Sequence, residues 1–239
     1  MPPINLKQEK MEEVRPNGKR AKYAVLLIWI VLALEVVSLT SGYLQYNLLQ
    51  AFALGENVAE DVIAANDTRE QLVGLLYLVA FVTSMVTFIL WFRRAYYNLH
   101  LKTDNLRHSE GWAAGSWFVP IICLFKPYHI MKELYTETKA LLLRNGFDVS
   151  YQFHSRSLGW WWALWIISNF LGQIVFRNSM GADSIEELTN STTAAIVLNL
   201  LGIPLALLTV KVIKDYAKVE HLLSEIPVIE TTEETGYNG

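Results

Sequence analysis

Residues 91–133, WFRRAYYNLHLKTDNLRHSEGWAAGSWFVPIICLFKPYHIMKE, decide how this chain is threaded. The stretch closes one apolar run at Arg93-Arg94, crosses a polar linker, enters a second apolar run at Trp112–Phe125, and leaves through a basic segment beginning at Pro127. Whether Trp112–Phe125 crosses a bilayer sets the topology of everything that follows. As helix, its roughly 14 residues rise only about 21 Å, against a hydrocarbon core of ~30 Å. Gly111, Gly115 and Pro120 interrupt it as well.

Outside that stretch, apolar residues fall in four blocks long enough to span, at about 23–43, 72–92, 158–176 and 193–210. A hydrophobic content of 52% and a positive mean hydropathy, gathered in blocks, exclude an ordinary soluble domain. Charge gives the direction of threading. With four spans and a cytoplasmic N-terminus, only Arg69 and Arg177 of the 20 basic residues lie outside, a strong positive-inside pattern. Were Trp112–Phe125 to cross too, Lys126, Lys132, Lys139, Arg144 and Arg156 would move outside. The expected fold is an all-α integral membrane protein. It has four transmembrane helices and a central re-entrant or interfacial helical element, residues 112–144, on the cytoplasmic side. Asn145-Gly146 marks the end of a helix begun near Pro127. Its Ile130, Met131, Leu134, Leu141 and Leu142 share the face an interfacial helix buries.

The same reading makes residues 1–20 a disordered tail ending in basic residues, 21–218 a single membrane domain, and 219–239 an acidic cytoplasmic tail. The first apolar block is too long for a cleaved signal and is expected to stay as an anchor. Residues 46–70 and 177–192 read as acidic outer loops. The single cysteine, Cys123, excludes an intrachain disulfide and a cysteine metal cluster. There is no phosphate loop, nucleophile elbow or metal-spaced histidine pair, so no catalytic residue, cofactor or metal is expected. The basic residues carry no nucleic-acid motif; anionic lipid is their expected partner.

Glu35 is the one charge in the first span, near its midpoint. A carboxylate there costs roughly 2.5–3.5 kcal/mol on insertion scales and so is expected to be protonated, paired or wet. Asn169, Gln173 and Asn199 fall at similar depth in the third and fourth spans. Together these four residues are a candidate polar cluster, serving either a substrate or proton site or simple interhelical hydrogen bonding. Gly202 and Pro204 mark a kink.

Along the central stretch, Trp91-Phe92, Arg94, Ala95, Asn98, Leu106, Ser109, Gly111-Trp112-Ala113, Gly115, Trp117-Phe118-Val119-Pro120, Pro127 and Glu133-Leu134 closely resemble a bacterial membrane-protein family catalogued as domain of unknown function 4328. Gly159-Trp160-Trp161-Trp162-Ala163-Leu164-Trp165 is similar to that family's next segment, and the resemblance covers roughly residues 70–215. It implies a bacterial inner-membrane protein without an assigned activity, and brings no site residues with it.

Two functions compete on this reading. One is a non-enzymatic scaffold, sensor or regulator that binds lipid headgroups or a protein partner through Arg93, Arg94, Asn98, Arg107, Trp112, Trp117, Pro120, Lys126, Pro127, Lys132 and Glu133. The other is a small transporter or channel component, assembled as a homo-oligomer or with another membrane protein, that uses the cluster around Glu35. A lipid-modifying enzyme is a weaker third.

Overall fold

The computed structural model describes residues 13–151 and 155–226. Their regular structure is all helical, with no strand among the described residues. Two long helices, α1 (Gly18–Ala53) and α2 (Glu60–His100), form a hairpin, followed by a one-turn α3 (Trp112–Gly115) and a 3-10 turn at Ile122–Leu124. Then come α4 (Lys126–Arg144), α5 (Ser155–Met180) and α6 (Ile185–Glu220), the last running into a 3-10 turn at His221–Glu225. Helices α1, α2 and α6 with its 3-10 extension are long and apolar enough to cross a membrane. Helix α1 packs on both α2 and α6, and α5 packs on α6.

The bundle has two chemically distinct ends. At one, α1 meets α2 and α5 meets α6 through short turns that carry acidic residues. At the other lie Arg15–Lys22, Arg93-Arg94, α4 and Lys211–Lys218. These are called the acidic end and the basic end below.

The acidic turns are tighter than expected. Residues 46–70 read as a loop, yet α1 continues to Ala53 and α2 begins at Glu60. Gly55, at φ 76°, stops α1: its N–H reaches the Phe52 carbonyl and the Glu56 N–H reaches the Ala51 carbonyl, both at 3.0 Å. That is a Schellman cap, which needs a left-handed residue and so a glycine. Glu60 and Asp61 then sit where the α2 dipole favours negative charge. Across the bundle, Ser184 caps α6 by accepting the Glu187 N–H at 3.2 Å.

Asn145-Gly146 ends α4 as expected. Gly146 lies at φ 85°, and the Phe147 N–H returns to the Leu142 carbonyl at 3.0 Å. The apolar face of α4 is turned to protein: Ile130, Met131, Leu134 and Leu142 are fully buried. The Tyr135 hydroxyl donates to the Val212 carbonyl of α6 at 2.5 Å. The period expected of a membrane-surface helix therefore covers the end of the bundle.

The core is concentrated at the basic end. Trp91, Phe92, Tyr96 and Leu99 of α2, Leu158 and Trp161 of α5, and Ile213, Tyr216 and Val219 of α6 are all buried there. Both tails are shorter than expected. Asn17 is buried and Gly18–Arg20 already belong to α1, while Val219, Leu223 and Ile226 are buried beyond the expected domain limit. Residues 1–12 and 227–239 of those tails lie outside the described residues. In the acidic half, Leu72, Leu75, Leu76, Leu78, Val79 and Phe81 of α2 are exposed, as lipid-facing residues are in an isolated bundle.

Candidate functional site

A cavity of about 380 Å³ lies between α1, α2, α5 and α6 in the acidic half. Helical spacing builds its walls. Ser38, Gly42 and Gln45 share one face of α1, Glu70, Gly74 and Tyr77 one face of α2, and Ser191, Ala195 and Asn199 one face of α6. Ser179 closes the α5 side through a 2.5 Å contact with the Ser191 hydroxyl. Gly42 permits the close approach of α6, since a Cβ there would sit 3.1 Å from Ile196 Cγ1. At Gly74 the same addition meets nothing, because it faces the cavity wall.

Polar groups surround the mouth. The Ser41 hydroxyl donates to Glu70 at 2.5 Å and accepts from Arg69 Nε at 2.9 Å. Arg69 also bonds the Asn66 carbonyl oxygen at 2.5 Å, and the Asn66 amide reaches Gln45 across the hairpin. This network keeps the upper α1–α2 interface polar and occupies the charge of Arg69.

Glu35 sits just behind Tyr77 and is 4% exposed. The Tyr77 hydroxyl donates to its Oε1 at 2.7 Å. Its Oε2 is buried with no hydrogen-bond partner among the described residues. The carboxyl lies against Gly202 of α6, where a Cβ would fall 2.2 Å from Oε1 and 2.5 Å from Cδ. A residue with a Cβ at 202 would force this buried carboxyl to shift.

Among the described residues, no hydrogen bond joins the members of the expected cluster to one another. Asn199 lines the cavity, whereas Asn169 and Gln173 are exposed on α5, and the Asn169 amide donates to its own helix at the Trp165 carbonyl, 2.8 Å away. Tyr77 and Gly202 take their places beside Glu35. Sequence reasoning passed over Tyr77 because a tyrosine in a span is ordinarily a belt aromatic. It read Gly202 as a kink, although the signal available was a residue without a side chain at the depth of the only charge.

Below Glu35 the bundle closes. Val31 is buried one turn below Glu35, and Ile28 and Ala24 of α1 join Ala206, Val210 and Ile213 of α6 in one core cluster. Phe88, Trp91, Phe92, Trp117, Trp161 and Trp162 follow as a mesh of rings with centroids 5.6–6.5 Å apart. Such edge-to-face and tilted pairs are favoured over face-to-face stacking.

The central residues fasten this mesh. Trp117 bonds the Ala113 carbonyl through Nε1 at 3.1 Å, and Trp162 bonds the Leu124 carbonyl at the same distance. Trp112 carries the Lys126 ammonium 3.5 Å over its ring, Arg93 pairs with Glu110 at 3.1 Å, and Arg94 lies 5.9 Å over Tyr97. Pro127 is buried in the first turn of α4, while Pro120, Arg107 and Lys132 are exposed. Glu133 organises the linker: it accepts from the Arg107 N–H at 2.7 Å, the Tyr96 hydroxyl at 2.7 Å and His108 Nδ1 at 2.9 Å. Burial alone raises its pKa, but these donors outweigh it and hold Glu133 below the usual glutamate value of 4.5.

Asn98 has the most consequential partners. Its side chain pairs with the backbone of Arg15, donating at 2.9 Å and accepting at 3.0 Å, and it donates to Glu220 at 2.9 Å. Asn17 donates to the same carboxylate at 3.0 Å. The N-terminal approach, the end of α2 and the end of α6 are thereby tied at one buried point. Nearby, burial lowers the pKa of Lys102, whose ammonium donates to the Ile226 carbonyl at 2.5 Å.

Among the described residues no group of His, Cys, Asp and Glu is placed to hold a metal ion. Comparison with curated proteins and with solved structures finds no match. A family model, that of a domain of unknown function, DUF4328, matches residues 55–218. The match holds more than half of the chain, including Tyr77, Asn98, the ring mesh, Glu133 and Gly202; Glu220 falls just past its end and Glu35, with most of α1, precedes it. This chain, with three helices long and apolar enough to cross a membrane, belongs to the DUF4328 family.

Proposed function

We propose that this protein is a non-enzymatic sensor of the bacterial inner membrane that binds a small polar solute in the acidic-end cavity. In this reading α5, 26 residues and so about 39 Å long, is a fourth span. The basic end with both termini lies in the cytoplasm, in keeping with the positive-inside bias. The central element lies along the inner interface, with Phe118, Ile121 and Phe125 exposed toward lipid.

One observation carries the proposal: a polar cavity at one end of the bundle is backed by a sealed aromatic core at the other. An open polar chamber suits binding, and the seal argues against conduction. The lining offers hydroxyls, amides and the Glu70 carboxylate, while Arg69 is engaged by Glu70. With that pair neutral overall, the chemistry suits a neutral solute, such as a polyol or an amide, with small amines as the cationic comparison. Helix α6 supplies the connection, since it lines the cavity at Asn199, meets Glu35 at Gly202 and enters the core at Tyr216 without leaving the helix. Pro204, between these points, lacks the N–H to bond one turn back and supplies a bend. Exposed Arg107 and Lys132 are then free to meet a partner that reads the platform.

The test is ligand-induced thermal stabilisation of the protein in nanodiscs against a panel of polyols, amides and small amines. A hit should raise the melting temperature of the parent and leave Gly74→Leu, whose side chain would occupy the cavity, unmoved. Solute flux through reconstituted vesicles, abolished by Glu35→Gln, would replace the sensor reading with transport. A panel that shifts neither protein would remove the solute site.

A further inference from the structure

A second concavity, of about 490 Å³, runs between α1 and α6 at the basic end. Its chemistry is divided along its length. Lys22, Lys214 and Lys218 stand at one end, all exposed, and its lining contains no acidic residue. From Lys22 the α1 wall continues through Leu26 to Trp29, which are 54% and 43% exposed, while Ala217 leaves room on the α6 side. Seven residues of helix separate Lys22 from Trp29, so the apolar wall extends about 10 Å from the cationic end toward the middle of the bundle.

We propose that this groove is a binding site for an anionic phospholipid of the leaflet at the basic end. The phosphate sits among Lys22, Lys214 and Lys218, and the upper part of one acyl chain lies along Leu26 and Trp29. Charge complementarity selects the occupant. Lys214 and Lys218 are one turn apart on the same face of α6 and converge on Lys22 with no ion pair among the described residues, whereas Lys211, on the same helix, is neutralised by Asp215 at 2.6 Å. Three ammonium groups over an apolar track match a headgroup phosphate joined to hydrocarbon. A soluble anion would use the lysines and leave the track empty, and a second copy of this chain would bring like charge to like charge. Of the central element's cations, Arg93, Arg94 and Lys126 are engaged by Glu110, Tyr97 and Trp112, and the exposed Arg107 and Lys132 are not part of the lining of this groove.

Native mass spectrometry of the full chain, titrated with phosphatidylglycerol or phosphatidylcholine, tests this. Phosphatidylglycerol should bind at least tenfold more tightly than phosphatidylcholine. Lys22→Gln/Lys214→Gln/Lys218→Gln should lose most of that preference, and Arg107→Gln/Lys132→Gln should keep it. Leu26→Trp, which crowds the track and spares the lysines, should weaken the same lipid. Equal binding of the two lipids overturns the site, as does a triple variant that behaves as the parent. Displacement of the lipid by millimolar inorganic phosphate would make it an anion site without an acyl track. A change of oligomeric state in the triple variant, with lipid retention unaltered, would make it a subunit interface.

Discussion

The acidic and basic halves of this bundle are made by the same helices and packed on opposite principles. In the basic half, α1, α2, α5 and α6 converge on a mesh of Trp, Phe and Tyr rings capped by α4, and the largest fully buried side chains gather there. In the acidic half the same helices face one another with Ser, Gln, Glu, Tyr and Asn and leave a cavity between them. The difference teaches that packing is concentrated at one end of the helices and relaxed at the other; under the proposed function, stability and recognition are divided along the helix axes. Rings and aliphatic side chains fill the basic end, and the acidic end keeps a cavity. Glu35, against Gly202, marks the border.

If that division is right, truncations at the two ends should differ sharply. Trp91→Ala, at the centre of the ring mesh, should cost about 3–5 kcal/mol, as large-to-small changes in packed cores do. Denaturant or thermal unfolding in detergent measures it. A loss comparable to that of a lipid-facing residue such as Leu78 would mean that the mesh does not hold the fold.

The border itself should be intolerant of one methyl group. Gly→Ala inside a helix ordinarily gains up to about 1 kcal/mol, yet Gly202→Ala drives a Cβ into the Glu35 carboxyl and should cost about 1–3 kcal/mol. Adding Glu35→Ala should recover most of that loss. Failure of the second change to rescue the first would separate the two residues.

The platform linker should respond to acid. Glu133 has a folded pKa below its ordinary value of 4.5, so its contribution is fully present above that value and fades as pH falls through the lower folded value. Melting temperature measured from pH 6 down to pH 3 should drop less steeply for Glu133→Gln than for the parent. At neutral pH the variant should lie about 1–2 kcal/mol lower, since charge-assisted hydrogen bonds are lost. Parallel curves would show that Glu133 does not organise the linker. The smallest effect, of opposite sign, is expected at Gly74→Ala, which adds a methyl group to open space inside α2 and should stabilise by up to about 1 kcal/mol.

Much of the architecture behind this contrast is legible in the sequence. The charge pattern and the shortness of Trp112–Phe125 placed the central element at the basic end. The family resemblance was densest where the rings now interlock. Asn145-Gly146 marked the close of α4 because a left-handed cap needs a residue without a Cβ penalty. Other features were hidden for physical reasons. The polar content of residues 46–70 looked like a loop, but helices extending beyond a bilayer are polar as well, and only Gly55 carried the true stop. A 3–4 apolar period in α4 cannot reveal whether protein or lipid covers it. The partners of Glu35 and Asn98 are set by tertiary register: Tyr77 lies 42 residues from Glu35 and Glu220 lies 122 from Asn98, so no local pattern pairs them.

The central claim is that the cavity opens only at the acidic end and is sealed toward the basic end, and thiol accessibility tests it directly. In a Cys123→Ser background, single cysteines at Ser38 and Asn199 should react with a membrane-impermeant maleimide applied from the acidic-loop side, and remain unreacted when it is applied from the other side of inverted vesicles. A cysteine at Ala206, beneath Glu35, should react from neither side. Labelling of position 38 or 199 from both sides, or of position 206 from the basic end, would reveal a through-path and contradict a sealed sensor.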